Sequence, residues 1–207
     1  MDPDIVYTKE LLNYYRSKTP DGVKNEYIEY RSLAILTSKM MLKHSALLFH
    51  CVSFEYHGLA WLLSAPSGTG KTTQYLNWIK QYSDEITMIC GDMPVFENQN
   101  GLIRICPSPW NGKERIGNDI SAPLGGIIFL EQSITNEIKP IEISDAIIQF
   151  FRQLVYKPDS CDEITSISNI IAPVFDQYPI WVFRNNGSEE STKLLRQTIL
   201  NYLEETS

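Results

Sequence analysis

Residues 65–72 read Ala-Pro-Ser-Gly-Thr-Gly-Lys-Thr, the order of a Walker A phosphate-binding loop with alanine in place of the usual first glycine. Gly68 and Gly70 allow the backbone to turn successive N–H groups toward an anion. Lys71 supplies a mobile positive charge for the β- and γ-phosphates, and the Thr72 hydroxyl can ligate Mg²⁺. The segment therefore predicts nucleotide binding. The residues assigned to this role are Ala65, Pro66, Ser67, Gly68, Thr69, Gly70, Lys71, Thr72 and Thr73.

The sequence on both sides of the loop supports this prediction. The apolar run "LAWLLS" precedes it and is typical of a buried strand. After it, Tyr75, Trp78, Ile79 and Tyr82 follow the i, i+3, i+4, i+7 spacing of one face of an amphipathic helix. The start of such a helix adds the positive end of its dipole to the anion site. A chance glycine turn would not require lysine and threonine at these offsets.

Two further side chains could take part in chemistry. Asp92 ends the apolar segment "ITMICGD", where it could complete a Mg²⁺ shell or accept a proton from an attacking hydroxyl. An aspartate at a strand end can equally cap a turn. His50 is expected in the strand before the loop strand, and a histidine in an apolar run is more often a core residue than a catalytic one. His44 and His57 are expected to be structural.

Composition excludes several classes of protein. The 207-residue chain has a formal net charge of −7 and no basic cluster, which argues against nucleic-acid binding. Its four cysteines are far apart, with no C-x-x-C pair, so neither structural zinc nor a disulfide framework is expected. The longest apolar region, 46–65, is interrupted by His50, Glu55 and His57 and cannot cross a membrane. The N-terminus lacks the layout of a signal peptide. We expect a soluble, cytoplasmic protein.

The elements that must position these residues alternate along the chain. Helices are expected over 4–16 and 30–42, as a lead-in (1–42) to a phosphate-loop catalytic core (43–207) within one domain. Residues 46–65 predict two strands joined by a turn at His57-Gly58. The interleaving of strands and helices predicts an α/β fold with a mixed sheet. The later elements are a strand in "ITMICGD", a hairpin in "MPVFENQNGLIRIC", a strand in "LGGIIFLE", helices over 145–156 and 161–174, a strand in "PIWVFR", and a helix capped by Ser188 and reaching about 203.

A polar loop, "PSPWNGKERIGND", provides candidates for substrate binding. Trp110 could stack on a base or a peptide, and Lys113 could meet the γ-phosphate or an acidic substrate. The alternative is a solvated loop whose Trp110 packs against its own domain. Arg184, which ends "PIWVFR", is a further candidate for phosphate binding, whereas Glu131 is expected to be structural.

The order of these features resembles the catalytic domain of HPr kinase/phosphorylase, whose fold is related to that of ATP-dependent phosphoenolpyruvate carboxykinase. The family pattern is a histidine at a strand start, a glycine turn, a strand, the phosphate loop, and an acidic pair closing the next strand. His50, Gly58, "APSGTGKT" and "GD" follow that order here. A stand-alone clostridial-type subgroup is similar over about residues 45–205. Its "GDKPV", "PWCGKE" and "PLKGICFLE" correspond to "GDMPV", "PWNGKE" and "PLGGIIFLE".

The resemblance implies a mixed-sheet P-loop domain of this type with flanking helices, and an ATP- and Mg²⁺-dependent kinase. It implies that Asp92 accepts the proton of a serine hydroxyl and, with Thr72, serves the metal. His50 would hold Asp92 or the γ-phosphate, and Lys71 would neutralise phosphate charge. The implied partner is a protein or peptide that carries the serine, ribosomally made peptide precursors included.

Departures from the pattern keep other functions open. Gly91 stands where the family has the first acid of its pair, and Met93 where the subgroup often has lysine. The C-terminal signature for the reverse, dephosphorylating reaction has no counterpart here. The alternatives are a kinase of a small molecule such as free serine, or a catalytically impaired nucleotide-sensing module. Carboxykinase-type decarboxylation needs a metal site with additional ligands, histidine among them, and the chain has only three histidines. The sequence does not identify the phosphate acceptor, and the donor could be ATP, GTP or pyrophosphate. The oligomeric state also stays open, and a homo-oligomer is one possibility.

Overall fold

The computed structural model describes residues 9–206 of the chain. Two helices lead into the sheet, α1 (Lys9–Ser17) and α2 (Asn25–Met41), and a 3₁₀ turn over Leu42–His44 follows. The helix predicted over 4–16 therefore corresponds to α1, although residues 4–8 lie outside the described part. The helix predicted over 30–42 corresponds to α2, which begins earlier than predicted.

Nine strands and four further helices follow within residues 9–206. The strands are β1 (Ala46–Leu48), β2 (Cys51–Tyr56), β3 (Leu59–Ser64), β4 (Ile86–Cys90), β5 (Val95–Gln99), β6 (Leu102–Cys106), β7 (Ala122–Gln132), β8 (Glu137–Pro140) and β9 (Ile180–Asn185). The helices are α3 (Lys71–Tyr82), α4 (Ile143–Gln153), α5 (Cys161–Gln177) and α6 (Glu189–Thr206).

Strand β7 is the centre of a mixed sheet. It pairs in parallel with β3 and β9, and its first residues pair antiparallel with β6. On the β3 side, β2 and β4 complete the order β7-β3-β2-β4, while β6, β5 and β1 form an antiparallel arm. The α/β class with a mixed sheet and flanking helices is therefore confirmed. Parallel pairing buries the β3 end, from which the phosphate loop leaves.

The first predicted strand is interrupted at Phe49 and His50. Strand β1 pairs with β5, whereas β2 pairs with β3 and β4. Between them, the His50 amide donates to Gln153 O (2.9 Å) and the Cys51 amide donates to Asp92 O (2.9 Å). The prediction that His50 lies within a strand was wrong, because the continuous apolar run hides a change of pairing partner. The break places His50 in a seam between the two parts of the sheet.

Helix α4 ends at Gln153, so the prediction of helix up to residue 156 was wrong. Leu154 is extended (φ −59°, ψ 131°) and forms a bridge with Phe49, and the Val155 amide donates to Leu48 O. Pairing with the chain beside β1 buries these apolar residues. The burial and the hydrogen bonds gained in this way outweigh the helical pattern of the sequence.

Strand β8 was not predicted from the sequence. It lies at the edge of the sheet and pairs with β9.

Two apolar layers cover the faces of the sheet. On one face α4 and α5 pack with strand residues, and the rings of Phe49 and Phe150 stack with centroids 4.3 Å apart. On the other face α3 and α6 pack around Trp78, Trp61 and Trp181. The two layers thus pack α4 on one face of the sheet and α3 on the other. No helix in the described part of the chain is long and apolar enough to cross a bilayer.

Candidate active site

The phosphate loop runs from the end of β3 to the start of α3, as predicted. Gly68 (φ 84°) and Gly70 (φ 104°) both adopt left-handed backbone conformations, which glycine enters without a steric cost. Apart from the adjoining residues of the loop, no heavy atom lies within 4 Å of the position that a Cβ would take at either glycine. The loop therefore leaves an open cradle at the N-terminus of α3. A cradle of this kind fits the phosphates of a nucleotide.

Lys71 is the first residue of α3 and folds back over the loop. Its ammonium donates to Ala65 O and, at 3.3 Å, to Pro66 O. Burial lowers the pKa of Lys71, while the nearby Asp92 carboxylate and Cys51 thiol act in the opposite direction. The charge of Lys71 thus lies within electrostatic reach of Asp92.

His50 connects Asp92 to helix α4. Its Nε2 lies 3.3 Å from Asp92 Oδ1, and its Nδ1 lies 2.9 Å from Gln153 Oε1. An imidazolium would donate to both oxygens, whereas a neutral ring satisfies both neighbours only if the Gln153 amide turns to donate. All three side chains are largely shielded from solvent. The arrangement fixes the orientation of the carboxylate.

Gln153 was not found from the sequence. It is 5% exposed and lies three residues after Phe150, on the face of α4 that packs on the core. An amide at a core position of an amphipathic helix must have a hydrogen-bond partner, and this requirement is the signal that could have identified it.

Gly91 and Asp92 are covered by the polar loop at residues 107–119. A Cβ at Gly91 would lie 2.7 Å from Asn111 O and 3.0 Å from Ile116 O, which is closer than real contacts allow. The Met93 amide donates to Trp110 O at 3.0 Å, so the loop is bonded to the same segment. The missing acid at position 91 therefore has a steric explanation.

Met93, the other departure from the family pattern, also has a structural role. Its side chain is fully buried in a cluster with Ala34, Leu48 and Val155. A lysine would have to bring its charge into this apolar contact. The cluster joins α2 to β1 and so ties the lead-in helix to the site.

Trp110 and Tyr30 fasten the polar loop to α2. The Trp110 indole packs against the Met93 cluster, and its Nε1–H donates to Tyr30 O at 3.1 Å. The Gly112 amide donates to Tyr30 Oη at 3.3 Å. Burial raises the pKa of Tyr30, and the charge of Asp92 adds to the shift. Tyr30 is thus a wall of the site that sequence analysis missed. Lys113 is exposed in the loop.

Arg184 lies at the edge of the phosphate-loop region. Its Nε is 3.0 Å from Glu131 Oε2, across the β7–β9 pair. The next residue on β7, Gln132, donates through Nε2 to Gly68 O at 3.0 Å. A cleft of about 340 Å³ opens here. Its lining includes Ala65, Pro66, Thr69, Glu131, Gln149 and Arg152.

A buried polar network holds α3 in position. The Gln74 amide, fully buried, donates to Asn185 Oδ1 at 3.1 Å and to Ser191 Oγ, and accepts from Thr192 Oγ1 at 3.0 Å. Each polar atom of this amide has a partner, so the network carries little desolvation cost and specifies one geometry. It links the helix that begins at Lys71 to the β9–α6 turn. The predicted cap is present there, since Ser188 Oγ accepts from the Ser191 amide.

The residues available for Mg²⁺ are few but suitable. Residues 9–206 contain no group of three His, Cys, Asp or Glu placed to hold a metal. Mg²⁺ in nucleotide sites usually takes one or two protein oxygens and otherwise phosphates and water. The Thr72 hydroxyl, exposed at the start of α3, and the Asp92 carboxylate are oxygen donors of this kind. The donor set fits a metal bound together with a nucleotide.

Comparison with known proteins gives a distant structural likeness. No protein-family model matches the chain, and no curated protein sequence matches it. Among solved structures it is similar to the HPr(Ser) kinase/phosphatase from Coxiella burnetii, with 12% sequence identity and a TM-score of 0.43. The match covers 77% of this chain and 97% of that one. Membership of that family, and the roles of the site residues, stay predictions.

Proposed function

We propose that the protein is an ATP- and Mg²⁺-dependent kinase that phosphorylates a serine-type hydroxyl of a protein or peptide. The observation that carries this proposal is the His50–Asp92 contact of 3.3 Å, made by an aspartate within electrostatic reach of Lys71. A phosphate-binding loop and a positioned carboxylate base are two recurring parts of enzymes that transfer a phosphoryl group to a hydroxyl.

Each residue has a role in the proposed reaction. Asp92 accepts the proton of the serine hydroxyl while that oxygen forms a bond to the γ-phosphorus. The bond from the γ-phosphorus to the bridging oxygen breaks, and its electron pair leaves with ADP. Lys71 stabilises charge on the phosphates, and His50 keeps the carboxylate oriented. The Thr72 hydroxyl and the Asp92 carboxylate would hold Mg²⁺, which when bound neutralises phosphate charge.

The catalytically impaired alternative is less well supported. Gly91 and Met93 are the features that favour it, and both are accounted for by packing, against Asn111 and within the Met93 cluster. The residues with chemical roles, Lys71, Thr72 and Asp92, are all present. We therefore favour the kinase.

The deciding experiment uses γ-labelled ATP, Mg²⁺ and the purified full chain. Two extracts of the source cell serve as acceptor mixtures, one complete and one depleted of small molecules. The Asp92→Asn variant is run in parallel. We expect an acid-stable, alkali-labile label on a protein or peptide in both extracts, absent with the variant.

Other outcomes would contradict the proposal in distinct ways. Label confined to a small molecule, and to the complete extract, would indicate a metabolite kinase. Nucleotide bound without any transfer would indicate a sensing module. Equal labelling with Asp92→Asn would remove the assignment of the base.

A further inference from the structure

Helix α4 has an apolar outer face. Its inner face, with Ala146, Phe150 and Gln153, packs on the sheet. On the outer face Ile147 is 38% exposed and Ile148 49% exposed. These neighbouring isoleucines expose apolar surface on one side of the helix.

This face forms one wall of an open cleft of about 520 Å³. Ile147, Ile148, Phe151 and Pro158 supply its apolar lining. Arg152 lines this cleft and also the cleft beside the phosphate loop. One residue further along, Gln153 contacts His50. Arg152 therefore borders both clefts, and the helix that carries it also contacts His50 through Gln153.

The charged residues that line the cleft are both cationic, Arg152 and Lys157, in a chain of net charge −7. The Lys157 ammonium donates to Phe151 O (2.7 Å) and Arg152 O (2.8 Å), which anchors it at the C-terminal end of α4. Burial lowers the pKa of Lys157, and the nearby charge of Arg31 adds to this effect. A local cluster of positive charge on an acidic protein is complementary to an acidic ligand.

We infer that this cleft, lined by Ile147, Ile148, Phe151, Arg152, Lys157 and Pro158, binds the segment of the acceptor polypeptide that adjoins the phosphorylated serine, and that this segment contains a large apolar side chain and acidic residues. The inference rests on the proposed kinase function and names the acceptor class of the same site. The apolar side chain packs on the isoleucines, and the acidic side chains pair with the two cations. Binding outside the reacting centre positions the hydroxyl near Asp92.

A library of synthetic peptides tests the inference. Each peptide has a central serine with randomised flanks and is labelled with γ-labelled ATP and Mg²⁺ by the full chain. We expect labelled peptides to be enriched in Asp or Glu and in Leu, Ile, Met or Phe. With Ile147→Ser/Ile148→Ser, labelling of peptides with the apolar residue should fall about tenfold, the equivalent of one buried aliphatic side chain. Lys157→Gln should weaken the acidic preference instead.

Ile164→Ser is the matched control, because Ile164 is an isoleucine of α5 with 45% exposure, close to that of Ile148. Its selectivity should equal that of the wild type. Thermal unfolding and ATP affinity of every variant identify any folding defect. Labelling without residue preference, or no labelling of any peptide while extract proteins are labelled, would overturn the inference and leave the kinase intact. No labelling of either peptides or extracts would remove both. Sedimentation tests whether a second copy of the chain covers this face. If the wild type is a dimer and Ile147→Ser/Ile148→Ser is a monomer, the face belongs to a second copy and the inference is overturned.

Discussion

His50 Nε2 lies 3.3 Å from Asp92 Oδ1. A backbone hydrogen bond holds the same two segments together, because the amide of Cys51, the residue after His50, donates to Asp92 O at 2.9 Å. The backbone and the side chain of Asp92 are therefore both held, with one carboxylate oxygen in contact with the ring. This is the geometry expected of a positioned base.

Asp92→Asn should retain nucleotide affinity and lose phosphoryl transfer by about 10²- to 10⁴-fold, the usual contribution of a general base. The amide is nearly isosteric but cannot take a proton from the hydroxyl. Single-turnover transfer and equilibrium nucleotide binding measure the two effects separately. Asp84→Asn, at an exposed aspartate after α3, serves as the control. Transfer at the wild-type rate would exclude Asp92 as the base.

Gln153→Leu should lower kcat roughly tenfold and leave nucleotide affinity unchanged, because the His50 ring loses the partner of its Nδ1. Gln153→Glu, which keeps an acceptor oxygen, should restore most of the rate. A loss of stability with an unchanged kcat would reduce Gln153 to a packing residue.

Lys71→Met should abolish tight nucleotide binding and change how stability depends on pH. Burial lowers the pKa of Lys71 in the folded protein below its ordinary value of 10.5. Between the lowered and the ordinary pKa the unfolded chain binds more protons than the folded one, so this lysine makes stability rise with pH. Urea unfolding of wild type and variant across the alkaline range below pH 10.5 should show a steeper rise in the wild type than in the variant. Stability curves that run parallel against pH in the two proteins would contradict the lowered pKa of Lys71.

Gly91→Ala should destabilise the fold by about 1–3 kcal/mol, the usual range for overpacking. The added methyl group meets Asn111 O at 2.7 Å, and a backbone atom cannot move aside as a flexible side chain can. Gly91→Asp, which restores the acidic pair of the family pattern, should therefore lose stability and gain no activity. Urea unfolding and the transfer assay test both variants. A stable, faster Gly91→Asp enzyme would show that the loop can open.

The sequence by itself determined the local parts of this protein. The phosphate loop, helix α3, the β2–β3 turn at His57-Gly58, the β5–β6 hairpin and the Ser188 cap all depend on residues close together in the chain. Glycine conformations, helical periodicity and capping act over a few residues, so their signals can be read from the order of amino acids.

Only the tertiary structure decided which distant residues meet. The break at His50, the extended course of Leu154 and the short strand β8 arise from pairing with strands far away in the sequence. The same holds for the contact of Gln153 with His50 and the close approach of Asn111 to Gly91. Local propensity carries no information about such partners, because the burial and hydrogen bonds that override it form only once the sheet and its layers are assembled.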